Sequence, residues 1–444
     1  MFENIIDQGA VLQLRDDIVN RRNAPSMLFF GPAASGKSSA ALELARVLSC
    51  EQSGEWKCAC VSCERHRYLQ HDDLLILGNR SFSAEIEAGK AAFLRNPSSQ
   101  GARFLFFRSL RKLIIRFSPV IMEDDPKLSK ITSVLQSLDE KLGEFLSIAQ
   151  VNENDALKKI CDALVKDANN LENEGISKII PIGHIRKASG WARLSPAGKR
   201  KTLIIENAEN MRDEGRNSLL KLLEEPPASI SIVLTAQRRE AIMPTILSRL
   251  RPYRFLKRSA ESEKEVIRRI FMDSVNGKSY EFNENLIGSY LDSFLPGKNS
   301  EKLLPLAAWF IVSMMQNISM SVIKNEADSF FAFLNILTGR YAQIAEKSGL
   351  MQSEKGSNII KTLVSKGGGF KDDSFSLFMK ICLEITGDIT RTSGEPQFIL
   401  YNDIFKKYIN EAVTAVEILN INAVIALEGL FFNIKKSVKR GFNG

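Results

Sequence analysis

The chain has 444 residues, of which 44% are hydrophobic and 25% are charged, an ordinary composition for a globular protein. This composition excludes wholesale disorder, a collagen-like fibre and a small disulfide-rich secreted domain. The 60 Lys and Arg residues exceed the 52 Asp and Glu residues by 8. That excess permits contact with nucleic acid or nucleotide phosphates without requiring it. With only three His residues, histidine-centred chemistry is not expected.

A cytoplasmic location is predicted, with no membrane partner. The first 18 residues carry acids and lack the basic-then-apolar pattern of a secretory signal. The most apolar stretch, Leu303 to Met315, contains Pro305. At about 13 residues it is too short to span a bilayer, so we expect a buried helix there.

Two α/β blocks are predicted along the chain. In the first, the apolar strand Ser26–Phe30 is followed by a Gly-rich turn and a helix with one apolar side, and a short buried-strand pattern runs from Asp72 to Leu77. Residues from about 80 to 177 carry long helical patterns and no strong strand. The second block, about 178 to 256, contains strands at Lys201–Ile205 and Ser231–Thr235 around a helix that ends at Pro226. Strands alternating with helices predict a parallel, doubly wound sheet, and the pattern beyond 257 is helical.

The Gly-rich turn matches the phosphate-binding pattern G-x-x-x-x-G-K-[ST], from Gly31 to Ser38. Its glycines let backbone N–H groups converge on phosphate oxygens, and the helix beginning near Lys37 directs its positive end at them. Lys37 is expected to reach the β and γ phosphates, and Ser38 to ligate Mg²⁺. We therefore predict ATP binding, although a matching loop can persist in a domain that no longer binds nucleotide. The predicted nucleotide-binding residues of this loop are Gly31, Ser35, Gly36, Lys37, Ser38 and Ser39.

The second acidic strand departs from the pattern of a hydrolysing enzyme. A P-loop ATPase needs a carboxylate for the Mg²⁺ water and a general base for the attacking water. Strand Lys201–Ile205 is followed by Glu206 and Asn207 instead of Asp-Glu. Glu206 is predicted to hold a metal-bound water, whereas Asn207 cannot accept a proton. We expect slow or absent hydrolysis, the alternative being that another acid substitutes; Glu209 is expected to begin the next helix.

Several motifs carry a family resemblance. In chain order they are Ile5-Ile6-Asp7-Gln8-x-x-Val11, the approach from Ile182-Gly-His-Ile-Arg186 to the second acidic strand, Asn217-Ser-Leu-Leu-Lys-Leu-Leu-Glu-Glu-Pro-Pro227, a strand ending in Thr235, and Pro244-Thr-Ile-Leu-Ser-Arg249. Together they resemble the AAA+ clamp-loader subunits of bacterial DNA polymerase III. The resemblance covers about residues 1–80 and 178–256 well, and the C-terminal helices by general character only.

The resemblance implies an α/β AAA+ P-loop domain with a parallel sheet at 1–256, containing a helical insertion at about 80–177 that is foreign to the family core. It implies an all-α lid at 257–300 and an all-α C-terminal collar domain at 301–444 that joins subunits. A nucleotide sensor is implied near Thr235 or Gln237, and Thr235 is taken as the nucleotide-binding residue of this strand. The implied partners are the gamma/tau and delta subunits, the sliding clamp and primed DNA, in a hetero-oligomer that loads the clamp.

Within the family, Glu206-Asn207 resembles the stationary delta-prime type of subunit rather than the hydrolysing gamma/tau type. The family's Ser-Arg-Cys motif carries an arginine finger that acts on ATP in the neighbouring subunit. Here Ser248-Arg249-Leu250 keeps the Arg, which implies that Arg249 acts in trans, a surface Arg being the alternative. No Ser-x-Arg-Asp sensor is evident at 296–302. A gamma/tau-like motor and an unrelated AAA+ DNA-repair ATPase remain as alternative functions.

Four cysteines crowd into positions 50–63: Cys50, Cys58, Cys60 and Cys63. In a reducing compartment such clustering indicates metal ligation, and Zn²⁺ takes four thiolates in a closed structural site. The family carries a zinc module at this place, with two residues between each of its last three cysteines. Only one residue separates Cys58 from Cys60, which we expect to strain simultaneous ligation. His66 or His71 is the alternative ligand.

Overall fold

The computed structural model describes residues 1–148, 154–177, 179–274, 285–295, 300–320, 328–350, 359–361, 363, 374–395, 397–417, 419 and 421–439. The predicted sensor segment at 296–302 falls largely outside these residues. The chain divides into two compact units, Met1–Leu291 and Asp292–Gly444. In the part of the chain that the structure describes, every helix is too short or too polar to cross a membrane.

The first unit alternates strands and helices before and after a helical segment. Its strands are β1 (Ser26–Phe30), β2 (Leu74–Leu77), β3 (Lys201–Ile205), β4 (Ile230–Ala236) and β5 (Arg251–Arg254). Its helices are α1 (Gly9–Val19), α2 (Lys37–Ser49), α3 (Val61–Arg67), α4 (Ser83–Arg95), α5 (Gln100–Ile114), α6 (Pro119–Met122), α7 (Leu128–Ile148), α8 (Asn154–Gly175), α9 (Ile182–Arg193), α10 (Asp213–Glu224), α11 (Pro244–Leu247), α12 (Ala260–Ile270) and α13 (Leu286–Asp292).

The five strands form one parallel sheet in the order β2-β3-β4-β1-β5. The connection after β1 runs across the sheet towards β2, and the connection after β4 runs the other way towards β5. The chain therefore changes direction between the neighbouring strands β1 and β4. In open α/β sheets, ligands bind outside the carboxyl ends of the strands at such a switch point. The C-terminal ends of β3, β4 and β1 therefore mark the place to look for a site.

Alternate residues of β1 to β4 enter two different cores. Leu28 packs into the core on one face of the sheet, and Met27 and Phe29 pack into the core on the other. The same alternation holds in β3, where Leu203 and Ile205 face opposite to Ile204. Because side chains alternate along a strand, a continuous apolar run is what a sheet covered on both faces requires.

The predicted helical insertion consists of α4 to α8 with a 3-10 turn at Ile115–Phe117. Its apolar side chains join the same core as one face of the sheet. Phe93, Phe106 and Phe145 form a cluster of ring contacts with centroids 5.1–6.5 Å apart. The insertion is thus packed onto the sheet rather than projecting from it.

The second unit is helical where it is described. Its long helices are α14 (Ser300–Ser319), α15 (Asp328–Glu346), α16 (Ser374–Ser393), α17 (Gln397–Glu417) and α18 (Ala423–Lys439). They share one core, in which the apolar stretch predicted to be a buried helix lies within α14, with Trp309 and Phe310 fully buried. The structure confirms the fold class, an AAA+ α/β domain followed by helical domains. Helices α12 and α13, which lie in the predicted lid, belong to the first compact unit, and the division into lid and collar stays a prediction.

Candidate functional site

The phosphate loop follows β1 directly and is shaped by two glycines. At Gly31 the φ angle is +150°, and a Cβ atom would lie 2.1 Å from the carbonyl oxygen of Phe255. Gly36, at φ +95°, occupies a left-handed conformation immediately before α2. Other residues adopt these angles only with strain. The loop and the start of α2 therefore need glycine where the motif has it.

Lys37 is held inside the loop by main-chain carbonyls. Its Nζ donates to the oxygens of Gly31 (2.7 Å) and Pro32 (2.6 Å) and lies 3.4 Å from Ser35 Oγ. Burial lowers the pKa of Lys37 to about 8, against the opposing effect of Glu209 and Glu206. An ammonium group has three protons. The third hydrogen bond, to Ser35 Oγ, is the longest, so its proton is the one most readily given to an anion in the loop.

Segments from distant parts of the chain close around the loop. Gln8, from the predicted adenine-side motif, exchanges two 2.9 Å side-chain hydrogen bonds with the main chain of Leu256. Arg258 donates to the carbonyl oxygens of Ile6 (2.9 Å) and Ala34 (2.6 Å) and is 8% exposed. No sequence motif indicates Arg258, because its hydrogen-bond partners are more than 200 positions away.

At the neighbouring strand ends, Thr235 and Asn207 contact each other. Thr235 lies buried in β4, and its Oγ1 accepts a 3.3 Å hydrogen bond from the backbone N–H of Asn207. Asn207 has φ +51°, a left-handed conformation that asparagine tolerates better than most residues. Its Nδ2 donates to Asn79 Oδ1 at 3.3 Å. The side chain at the position expected for a general base is therefore an amide engaged with another amide.

Glu206 is buried between cations. Its side chain contacts Nη2 of Arg116, and Nε of Arg80 lies 3.3 Å from the same carboxylate oxygen. Burial alone would raise the pKa of Glu206, but the charges of Arg116 and Arg80 and a hydrogen bond from Ser38 lower it below its usual value. The carboxylate is thus ionised and already surrounded by positive charge.

Glu209 is the other acid at this edge. It lies in the 3-10 turn Ala208–Asn210, and the next helix begins only at Asp213, so the expectation that Glu209 begins that helix is wrong. One carboxylate oxygen accepts a 3.0 Å hydrogen bond from the backbone N–H of Gln237. The other is buried and has no hydrogen-bond partner among the described residues. That oxygen is available to accept a proton or a water.

The predicted Mg²⁺ ligands do not fit the ion. Mg²⁺ in nucleotide sites is held by one or two carboxylates together with phosphate oxygens and waters. Ser38 is predicted to ligate the ion and Glu206 to hold a metal-bound water; only Glu206 has a carboxylate, and two guanidinium groups engage it. Members of the AAA+ family are expected to bind both nucleotide and Mg²⁺. The residues of this chain fit a nucleotide but do not fit Mg²⁺.

Arg249 lies in the segment between α11 and β5, with its side chain 32% exposed. Its Nη2 is 2.6 Å from Glu224 Oε1, and its Nη1 donates to Ser248 Oγ at 3.1 Å. The neighbouring Arg251 is instead engaged by the buried Asp17 at 2.7 Å. Arg251 therefore has a structural partner, whereas Arg249 contacts only surface groups.

The four predicted zinc ligands come together. The Sγ atoms of Cys50, Cys58, Cys60 and Cys63 all lie within 4.8 Å of one another, and Cys50 Sγ is 3.6 Å from Cys58 Sγ and 3.9 Å from Cys60 Sγ. A zinc tetrathiolate with Zn–S bonds of about 2.3 Å requires sulfurs about 3.8 Å apart. The four cysteines therefore fit zinc. The short spacing between Cys58 and Cys60 does not prevent the four sulfurs from coming within ligating distance of one ion.

The two histidines considered as alternative ligands lie elsewhere. His66 and His71 stack on each other with ring centroids 4.1 Å apart. His71 accepts from the backbone N–H of Asp73 at 3.1 Å and contacts Ser62 Oγ at 3.1 Å. Among the described residues, the metal-binding group contains the four cysteines and neither histidine.

Arg46 links the cysteine cluster to α2 and was not predicted. Its Nη1 lies 2.9 Å from Cys63 Sγ, and its other nitrogens donate to Glu43 (2.7 and 2.9 Å) and to the oxygen of Gly54 (2.9 Å). Arg46 and Glu43 are 3% and 6% exposed. A guanidinium at this place would offset the negative charge of the thiolates when zinc is bound.

A parallel sheet of this order, with a G-x-x-x-x-G-K-S loop at its carboxyl edge and Thr235 on the adjacent strand, defines the class: an AAA+ P-loop protein. Comparison with known proteins gives the family. A family model described as "DNA polymerase III, delta subunit" matches residues 6–102 and 140–259. The chain belongs to the DNA polymerase III clamp-loader family.

Individual relatives match short segments. The chain is 35% identical over 80 residues to the DNA polymerase III subunit delta' of Pseudomonas aeruginosa, covering 18% of the chain and 24% of the relative. It is 38% identical over 58 residues to the uncharacterized protein MG007 homolog of Mycoplasma pneumoniae, covering 13% of the chain and 23% of the relative. The matches thus span about a quarter of each relative's length.

One solved structure similar to this chain is a DNA polymerase III gamma subunit-related protein from Thermotoga maritima. It matches with a TM-score of 0.41 and 14% identity, over 96% of this chain and 99% of the other.

Proposed function

We propose that this protein is a delta-prime-like subunit of the DNA polymerase III clamp loader, and that it supports ATP-dependent loading of the sliding clamp onto primed DNA. Its partners are other clamp-loader subunits of the gamma/tau and delta types, and it works in the cytoplasm. The C-terminal helical domain joins it to the other subunits, and zinc in the cysteine cluster stabilises the region after α2.

The observation that carries the proposal is how Glu206 and Asn207, the two residues directly after β3, are paired with other side chains. Asn207 presents an amide that donates to Asn79, and Glu206 is paired with two arginines. Water activation needs a group that can accept a proton, and an amide cannot. The chain therefore keeps a phosphate loop while lacking the usual base, as expected for a subunit that takes part in ATP-dependent work without turning over ATP itself.

In this proposal Arg249 is the arginine finger that acts on the ATP bound by a neighbouring subunit. A guanidinium is permanently charged and planar, which suits it to stabilise charge on a transferring phosphoryl group. In the isolated chain the side chain is partly exposed, and its ion pair with Glu224 lies at the surface. Surface ion pairs contribute only about 0–1 kcal/mol, so a phosphate competes readily for the guanidinium.

The test uses the full chain assembled with gamma/tau and delta subunits, clamp and primed DNA. Arg249→Ala is expected to lower clamp-stimulated ATP turnover of the assembly by about tenfold or more, because a finger stabilises only the transition state. Arg254→Ala, an exposed Arg on β5, is the matched control and is expected to keep full turnover. Normal turnover with Arg249→Ala in a correctly assembled complex would contradict the proposed role.

A second candidate function is an ATP-hydrolysing gamma/tau-like motor, and Glu209 is the observation that favours it. One of its carboxylate oxygens is buried without a hydrogen-bond partner among the described residues, and its charge acts on Lys37. Steady turnover by the isolated chain that disappears in both Lys37→Ala and Glu209→Gln would establish the motor. Negligible turnover by the isolated chain, with or without DNA and clamp, favours the stationary subunit.

A further inference from the structure

Two arginines from the helical insertion contact the carboxylate that is predicted to hold the Mg²⁺ water. Arg80 precedes α4 and Arg116 lies in the turn after α5, and both contact the carboxylate of Glu206. We propose that Arg80 and Arg116 take the place of Mg²⁺ at Glu206, so that the loop binds the polyphosphate of ADP or ATP as a free anion, without a divalent cation. This inference rests on the proposal that the loop binds nucleotide.

Arg116 is fixed in place by more than its ion pair. While Nη2 contacts Glu206, Nη1 donates to the carbonyl oxygen of Leu77 at 2.9 Å and Nε to that of Lys112 at 3.4 Å. The residue is 7% exposed, and its guanidinium lies 5.2 Å from the ring centroid of Phe82. Three acceptors in a buried place therefore hold the guanidinium of Arg116 beside Glu206.

Arg80, from the segment between β2 and α4, contacts the same carboxylate of Glu206. Its Nε is 3.3 Å from Glu206, its Nη2 is 2.8 Å from Glu85 Oε2, and its guanidinium lies 4.4 Å from the ring centroid of Phe82. Lys112 also pairs with Glu85. The ring of Phe82 and the carboxylate of Glu85 therefore hold the second cation against Glu206.

The charges of this buried group favour an anion over a metal. It contains three cations, Arg80, Lys112 and Arg116, against two acids, Glu85 and Glu206, which leaves one positive charge in excess. A divalent cation added here would meet like charge in a place shielded from water, where such repulsion is strong. A polyphosphate next to Lys37 and the start of α2 would instead meet complementary charge.

Calorimetric binding of ADP and ATP to the full chain tests the inference, with saturating Mg²⁺ in one arm and EDTA in the other. For the wild-type chain we expect binding that is no weaker in EDTA than in Mg²⁺. Replacing both cations, in R80Q/R116Q, releases the Glu206 carboxylate. In that variant Mg²⁺ is expected to tighten binding by about tenfold, as in an ordinary P-loop site.

Arg111→Gln is the matched control, because Arg111 lies on α5 but pairs with the exposed Asp139 instead of Glu206. It is expected to behave like the wild type. Loss of about tenfold or more of wild-type affinity in EDTA overturns the inference. So does the absence of nucleotide binding in both arms, which also removes the nucleotide from the proposed function; the Arg249 test in the assembled complex is unaffected by either result.

Electron paramagnetic resonance with Mn²⁺ and ADP tests the inference without depending on how the double variant folds. On the wild-type chain we expect Mn²⁺ that is bound independently of the loop, or none. A protein-bound Mn²⁺ signal that requires ADP and disappears in Lys37→Ala would overturn the inference, because it would place a divalent cation beside the phosphates.

Discussion

At the scale of single residues, buried arginines hold the first unit together near its chemistry. Arg46, Arg80, Arg116 and Arg258 each join segments that are distant in sequence or in structure. Each donates to or pairs with carbonyl or carboxylate oxygens that are largely shielded from water. When such an arginine is removed, the loss in the free energy of unfolding depends on the partner that stays in the protein. A buried charge without a partner is far less stable than an exposed one.

Arg46 gives the clearest stability prediction. Arg46→Ala leaves the buried carboxylate of Glu43 without its cation, so we expect the free energy of unfolding to fall by about 3–5 kcal/mol. Urea denaturation followed by circular dichroism measures it. Arg65→Ala removes an exposed ion pair with Asp72 and should change stability by about 1 kcal/mol or less. Equal effects of the two substitutions would refute the argument from burial.

His66 makes stability depend on pH. Burial, together with the charges of His71, Arg108 and Arg46, lowers the pKa of His66 to about 2, whereas an unfolded histidine titrates near 6.5. Between these values the unfolded chain binds the additional proton, so stability falls as pH falls below about 6.5. The contribution of one such group is about 1.4 kcal/mol per pH unit.

Comparison of the wild type with His66→Phe isolates this contribution. Phenylalanine keeps a ring to stack on His71 but cannot titrate. Between pH 7 and pH 5 we expect the urea midpoint of the variant to fall less steeply than that of the wild type. Parallel curves would mean that His66 is not the group responsible.

At the scale of elements, apolar continuity decided what the sequence could predict. Strands β1 and β3 were predicted at their observed limits, because each is a run of apolar residues that a sheet buried on both faces requires. Strand β5, Arg-Pro-Tyr-Arg, was not predicted. Only Tyr253 of this edge strand is buried, and its proline is acceptable because no strand pairs with its outer side among the described residues.

The site was predictable only where it is local in sequence. Motif spacing placed Lys37 at the start of α2 and brought the four cysteines into one cluster. The partners of Glu206 could not be predicted, because Arg116 lies 90 positions away, in a segment where the sequence indicates only long helices. The family model leaves out residues 103–139, within the predicted insertion, so similarity carried no information about Arg116 either.

The segment between α2 and β2 yields a metal prediction. If zinc organises the cysteine cluster, the purified chain contains about one zinc per molecule, and Cys58→Ser or a strong chelator lowers the thermal midpoint by several degrees. Elemental analysis and a thermal melt measure both. Cys161→Ala, a buried cysteine in α8 outside the cluster, is expected to retain the zinc. A chain that is free of zinc and stable when purified under reducing conditions would contradict the prediction.

At the scale of the whole molecule, the two compact units have separate cores. We therefore expect Met1–Leu291 alone to unfold in one cooperative transition and to bind nucleotide as the full chain does, because its sheet, loop and insertion are all contained within it. Calorimetry and nucleotide titration of the shortened chain measure this. Failure to unfold cooperatively would mean that the first unit depends on the second.

The paired arginines at Glu206 also bear on how such a subunit changes over generations. An acid introduced at position 207 alone would not be expected to create an ATPase, because Glu206 would stay bound to Arg80 and Arg116. Removing those arginines first would leave Glu206 and Glu85 short of their cations. A return to catalysis therefore needs several substitutions together, and each intermediate is either inactive or less stable. Under the proposed function, no single substitution would therefore turn this chain into an ATP-hydrolysing motor.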